Sequence, residues 1–237
     1  MSPIPTLRSP LFSILYSNSS PIFAVNIKNG LRMANKTLII FAHPRFESSS
    51  NNSLLVQQVP DNPEITFHDL YEKYPDFNID VEYEKRLLSD HQVIIWHHPF
   101  YWYSAPPLLK QWIDLVLEFG WAYGPGGEAL KGKILFHCIT MGGQRSAYSK
   151  EGYNRFTVTE LLAPFYQTAY LCKMTWLPPF SVHGTHRISD EEKKLVSRQY
   201  GILLERMVRG DFSVNEINRY TYMNDWLASL TAKISAQ

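Results

Sequence analysis

Cysteine is nearly missing from this 237-residue chain: Cys138 and Cys172 stand far apart, with no CxxC or Cys/His spacing around them. That excludes a disulfide-stapled scaffold and a zinc ribbon. Two buried thiols in a reducing compartment are the expectation, and with them a cytoplasmic protein. An excess of one charge sign is missing too. Lys plus Arg number 23 against 22 Asp plus Glu, a formal net charge of +1, so nothing draws the chain non-specifically onto nucleic acid. No apolar run approaches the roughly 20 residues that a spanning helix needs. The longest are short stretches such as LIIFA and VIIW, so direct membrane insertion is not expected. Neither GxGxxG nor GxxxxGK(S/T) occurs, which removes the glycine-rich turns of dinucleotide folds and P-loops.

What is present is globular composition, 45% hydrophobic, 14% aromatic and 19% charged, in a length that suits one large α/β domain or two small ones. Residues 1–35 differ from the rest. Pro, Ser and Asn punctuate the weak apolar stretch LFSILY, without a basic n-region or a small-residue cleavage site. The expectation is a disordered extension over 1–35, with Met33 as the bland alternative start, then a single domain over 36–210 and a partly helical tail over 211–237.

From Lys36 onward short apolar runs alternate with helical patterns, the sign of βαβ units and a parallel sheet. Strands are expected at 37–41, 65–69, 93–97, 134–140 and 174–176. Residues 107–119 carry Leu108, Leu109, Trp112, Ile113, Val116 and Phe119 at helical spacing, behind a cap and prolines over 104–107. Ser189 to Glu192 fits a capping box opening a helix that runs to about Gly210. Five strands with helices between them predict a flavodoxin-like, doubly wound five-stranded parallel sheet with helices on both faces. Ligands of that architecture bind beyond the carboxyl ends of the strands.

Three loops leave that edge. After the first strand, AHPRFESSSNN gathers Ser48, Ser49, Ser50 and Asn52 near a helix start, with His43 and Arg45 beside them. Such a cluster suits a phosphate, or simply caps a helix. After the third strand, HHPFYWYSAPP concentrates Tyr101, Trp102 and Tyr103, which could wall a flat heteroaromatic ring or pack at an interface. After the fourth, TMGGQRSAY offers Gly142 and Gly143 for close backbone approach to a ring, and a hydroxyl at Tyr148. Together they make a coherent flavin mononucleotide site. The scattered histidines His68, His91, His97, His98, His137, His183 and His186 show no metal-ligand spacing. Asp76 and Asp80 are expected in a solvated turn rather than as an acid–base pair.

On AHPRFESSSNN, HPFYWYSAPPLLKQWID, GPGGEALKGK and TMGG with its following AY, the chain resembles the flavodoxin-like NAD(P)H:quinone oxidoreductases over about 36–209. HDLYEKYPDFNID, WIDLVL and MTWLPPFSVHGT make it similar, within them, to the ancillary proteins of glutathione-regulated potassium efflux systems. The resemblance implies a flavin, FMN or alternatively FAD, with its phosphate against His43, Ser49 and Asn52. It implies a ring between residues 99–103 and 140–143, touching Pro99, Thr140, Gly142 and Gly143, with the N–H groups of Tyr101, Trp102 and Tyr103 at the pyrimidine edge. It implies NAD(P)H as co-substrate, a quinone or electrophile as acceptor, ping-pong hydride transfer, and a homodimer. It also implies docking to a potassium efflux transporter at the cytoplasmic face of the inner membrane.

Tyr148 falls where such enzymes place a tyrosine near the ring. The histidine that often follows is replaced by Asn154, and an amide orients groups but supplies no proton. Two other functions compete with the enzyme. One is a purely regulatory subunit of the transporter. The other is a flavodoxin-type electron carrier, against which the +1 charge argues, since such carriers present an acidic face.

Overall fold

The computed structural model describes residues 27–28, 31–32 and 34–235. Three runs in it, TLIIF, VIIWHHP and ILFHCIT, are buried at every residue, as strands covered on both faces must be. The strands are β1 (Thr37–Phe41), β2 (Ile65–Asp69), β3 (Val93–Pro99), β4 (Ile134–Thr140), β5 (Thr175–Trp176) and β6 (Phe180–Val182). All pairs of this sheet are parallel, in the order β2-β1-β3-β4-β5, with β6 further along β4. The order reverses between β1 and β3, the switch point where the crossing connections diverge and leave a crevice. Register aligns the carboxyl ends: Phe41 lies beside Asp69 and His97, and Pro99 beside Thr140. The loops after β1, β3 and β4 therefore leave from one edge.

The fifth position of the sheet differs from the 174–176 strand expected from sequence. β5 pairs Thr175 and Trp176 with Ile134 and Leu135, and β6 then pairs Phe180 to Val182 with Cys138 to Thr140. Between them stand Pro178 and Pro179, which have no N–H to give a ladder, so one strand becomes two.

Alternate residues of each strand enter opposite cores. Leu38, Ile40, Ile94 and Trp96 face one, with Leu108, Leu109, Trp112 and Phe165; Ile39, Val93, Ile95 and Phe136 face the other, with Tyr200, Leu203, Leu204 and Met207. The first is covered by α2 (Leu70–Lys73), α3 (Val81–Asp90), α4 (Pro107–Val116), α5 (Val158–Leu161) and α6 (Ala163–Leu171). The second is covered by α1 (Ser50–Val56), α7 (Asp190–Arg209), α8 (Val214–Ile217) and α9 (Met223–Ser235). Burying one side chain such as Trp112 or Leu204 away from water contributes roughly 1.5–3 kcal/mol, and both are fully buried.

Helix ends follow their caps. Ser189 and Glu192 form the expected capping box of α7, and Gly210 ends it at φ 63°. α4 stops at Val116 rather than at residue 119: Leu117 leaves helical geometry, and Phe119 is exposed instead of lying on the core stripe. Ser104 does not cap α4, whose N-cap is Pro106; it closes the turn described below. Asp80 is not in a bare turn, since it accepts from Tyr83 N–H and caps α3. Past Gly210, Ile217, Met223, Trp226 and Leu227 are buried in the second core. Within 1–35, Ile27–Lys28 pairs antiparallel with Leu31–Arg32, and Asn35 donates to the carbonyls of Val208 and Met207. Apart from Ala34, the rest of that segment lies outside the described residues, as does the candidate start at Met33.

Candidate active site

Asn52, in the first turn of α1, is buried, and its amide has no freedom left. Its Nδ2 donates to Ser49 Oγ at 2.9 Å and to Thr140 Oγ1 at 3.1 Å. Its Oδ1 accepts from His97 Nε2 at 3.2 Å. His97 Nδ1 in turn accepts from the Tyr200 hydroxyl at 3.2 Å, so the ring is neutral, with one donor and one acceptor. Burial agrees with that state, pushing His97 down to about 3. A polar wire thus runs from α7 through β3 to α1 and β4. Its outer end is Ser49, which accepts from Asn52 N and Nδ2 and so keeps its own hydroxyl proton for a ligand. Beside it, His43 Nδ1 accepts from Arg45 N–H at 3.1 Å, which leaves Nε2 as the protonated nitrogen. Burial lowers the His43 pKa, favouring a neutral donor.

The loop after β3 is a tight turn. Ser104 N–H donates to Tyr101 O at 2.9 Å, and Trp102 and Tyr103 both hold left-handed backbones, φ 48° and 64°. Such geometry in aromatic residues costs on the order of 1 kcal/mol each and persists only where surroundings impose it. Of the three amides, that of Tyr101 is spent on Pro99 O at 3.1 Å. Those of Trp102 and Tyr103 donate to no acceptor among the described residues. Tyr101 leans toward His43, ring centroids 6.3 Å apart, and joins the two loops. Trp102 is 91% exposed.

After β4 a side chain is sterically excluded at Gly143 and crowded by an exposed histidine at Gly142. A Cβ on Gly143 would stand 2.9 Å from the Tyr148 ring, and one on Gly142 would stand 3.0 Å from that of His186. Tyr148 is buried between Phe100 and His183, at 6.4 and 5.8 Å between centroids. Its phenol pKa is raised, first by burial and then by neighbouring Tyr103, while a hydrogen bond from Asn154 opposes both. Asn154 Oδ1 accepts from Tyr103 OH at 3.2 Å, so this amide ties the aromatic turn to the glycine loop.

The expected residues converge, with two refinements. Pro99 and Thr140 act from behind: Pro99 O holds the Tyr101 amide and His98 Nδ1, and Thr140 Oγ1 holds Asn52. Three histidines that sequence inspection left without a role stand at the site. His97 orients Asn52, His183 packs on Tyr148, and His186 covers Gly142. The loop of His183 and His186 is fixed by Gly184 N–H to Gly143 O, Thr185 N–H to Met141 O, and Asn51 Nδ2 to Thr185 O. No local pattern in the sequence announced it. Among the described residues no group of three His, Cys, Asp or Glu could hold a metal.

A sequence model described as flavodoxin-like fold matches residues 35–201. The chain belongs to this family. Among its relatives, the glutathione-regulated potassium-efflux system ancillary protein KefG of Erwinia tasmaniensis is 43% identical over 170 residues, covering 72% of this chain and 92% of that one. General stress protein 14 of Treponema denticola, solved in complex with FMN, shares the family's architecture at TM-score 0.69 and 38% identity, over 73% of this chain and 99% of that one. An NADPH-quinone reductase from P. pentosaceus superposes at TM-score 0.66 and 32% identity, over 71% of this chain and 97% of that one.

Proposed function

We propose that this chain is an FMN-dependent NAD(P)H oxidoreductase that delivers two electrons to a quinone or related electrophile, as an ancillary subunit of a potassium efflux transporter. The observation that carries the reading is the convergence, at one sheet edge, of groups with unused bonding capacity. These are the Ser49 hydroxyl proton, the Trp102 and Tyr103 amides, and the glycine backbone at 142–143. This donor set fits FMN: a hydroxyl and the neutral His43 for the phosphate, two amides for the pyrimidine edge, and a side-chain-free strip for the ring. When bound, FMN supplies the hydride-accepting and hydride-donating chemistry.

The protein's own residues do the rest. Asn52, locked by His97 and Thr140, sets the direction of the Ser49 hydroxyl. Trp102 and Tyr103 present donors preorganised by the left-handed turn, which stabilise negative charge developing at that edge. Tyr148, with its pKa raised, keeps its proton at neutral pH and holds it at the acceptor's side of the site. Asn154 orients Tyr103 and Tyr148 but contributes no proton. Nicotinamide and acceptor visiting the face beside Tyr148 in turn would give ping-pong kinetics, and a homodimer, with the exposed aromatics of 101–103 at its interface, completes the proposal.

The decisive experiment is a visible spectrum of the purified protein with mass identification of the released cofactor, followed by NADH and NADPH oxidation with a quinone. A protein that stays colourless after incubation with FMN or FAD defeats the reading. Potassium efflux after electrophile challenge, with and without this chain, tests the transporter role. Efflux stimulation by a Ser49→Ala/Asn52→Ala variant that no longer holds flavin would favour the purely regulatory subunit.

A further inference from the structure

The family match ends at residue 201, yet the chain beyond it reaches back to the candidate site. Arg145, three residues before Tyr148 on the glycine loop, makes a two-pronged ion pair with Asp225 of α9: Nη1 to Oδ1 at 2.8 Å and Nη2 to Oδ2 at 2.5 Å. The same guanidinium lies 4.5 Å from the ring centre of Tyr222, the residue before α9. Tyr222 stands edge-on to His183 at 5.2 Å, and His183 stands edge-on to Tyr148 at 5.8 Å. An unbroken column of rings therefore leads from the C-terminal helix to the Tyr148 phenol, closed at its outer end by the ion pair. α9 is itself anchored, since Met223 N–H donates to Pro179 O and Asn224 Oδ1 accepts from Ser181 N–H.

We propose that Arg145, Tyr222 and Asp225 form a clamp through which the C-terminal helix fixes the loop over 141–148, and so the Tyr148 hydroxyl, against the face where the ring binds. The three are positioning residues; none reaches the reacting atoms. The inference rests on the reading of Tyr148 as a ring-side residue. The physical case is one of stiffness. The loop after Gly143 carries only a short 3-10 turn of its own, Arg145–Ala147, so its position must be set from outside. A bidentate guanidinium–carboxylate pair fixes direction as well as distance, and a cation over an aromatic face adds to it. His183 transmits the contact by packing, with Nε2 held at 3.0 Å by Ser181 Oγ.

The test uses the full chain and reads hydrogen–deuterium exchange over 141–155 with and without FMN, alongside kcat and KM for a quinone. Asp225→Asn removes one charge with little change in shape, and Tyr222→Leu removes the ring, whereas Tyr222→Phe keeps it. Exchange over 141–155 is expected to rise about five-fold in the first two, with α1 exchange unchanged, and to stay at the wild-type level in the third. kcat should fall several-fold in the same two variants, and FMN affinity should fall less than in Ser49→Ala, because the phosphate side does not touch the clamp. The pair Arg145→Asp with Asp225→Arg, which restores opposite charges, should recover protection that either change alone removes. Unchanged exchange in Asp225→Asn and Tyr222→Leu overturns the clamp. Wild-type turnover in Tyr148→Phe would instead overturn the ring-side reading of Tyr148, whatever the exchange shows.

Discussion

Around Asn52, five side chains from four elements hold one another and hide from water, whereas across the site Trp102 stands almost wholly in solvent on a left-handed backbone. The first region is stable because its buried polar groups hold one another inside the fold; at its half-buried rim, Ser49 keeps a hydroxyl proton for a ligand. The second spends energy on an unfavourable turn and leaves two amides unspent. The contrast separates two ways of making a binding site. One wall is finished before any ligand arrives, and the other is a surface whose bonds are completed by the ligand.

The largest effect should come from breaking the finished wall. Asn52→Ala would leave the His97 Nε2–H and Thr140 Oγ1 without a partner in a dry interior, costing about 2–3 kcal/mol of stability. It should also weaken FMN binding about tenfold or more, since Ser49 loses its orientation; urea denaturation and flavin titration measure both. An Asn52→Ala protein as stable as wild type would show that the wire is not holding the wall.

pH probes the strand behind this wall, through His97 within the wall and His98 on the opposite face of the sheet. Burial holds His97 at about 3 and His98 at about 4 in the folded chain, below the ordinary 6.5. Between those values the unfolded chain binds more protons, so stability is full above pH 6.5 and is lost as pH falls. The loss is about 2 kcal/mol for each ring by pH 5. Urea midpoints from pH 7.5 to 5 should fall accordingly, and a flat profile would mean that these rings are not dry.

A smaller effect belongs to the join between the two walls. Asn154→His places a proton donor where Tyr103 and Tyr148 meet, and quinone turnover should rise, by about tenfold on the usual scale of general acids. An unchanged rate in a variant that still binds flavin would assign proton delivery to another route. The smallest effect lies on the open wall. Trp102→Gly relieves the left-handed backbone, and the flavin-free protein should gain about 0.5 kcal/mol in denaturant; no gain would mean that the turn is unstrained.

Legibility in the sequence follows the same division. The strands could be read because a doubly covered sheet demands uninterrupted apolar runs, and α7 because its capping box and Gly210 are local signals. The three site loops could be placed because parallel topology puts them at one edge. What stayed hidden depends on partners far apart in the chain. Nothing beside His97 in VIIWHHP announces Tyr200, 103 positions on, or Asn52, 45 positions back. Nor does the loop over 183–187 announce contact with Gly142 and Tyr148. The short α4 escaped because Phe119 continues the helical spacing beyond the point where the backbone turns away. The second piece of the fifth strand, Phe180 to Val182, stayed hidden because it is three residues long and stands beyond Pro178 and Pro179, where no apolar run of strand length announces it.

That pair of prolines has a consequence for how the molecule meets its own kind. The outer rim of a sheet is a template on which another strand can add, and long, flat rims seed aggregates. Here the rim beyond β4 is two fragments of two and three residues, interrupted by Pro178 and Pro179, which cannot donate. One outward amide of the second fragment, Ser181 N–H, is already taken by Asn224. A strand approaching from solvent finds no continuous row of donors to match, so the sheet ends where the fold needs it to end.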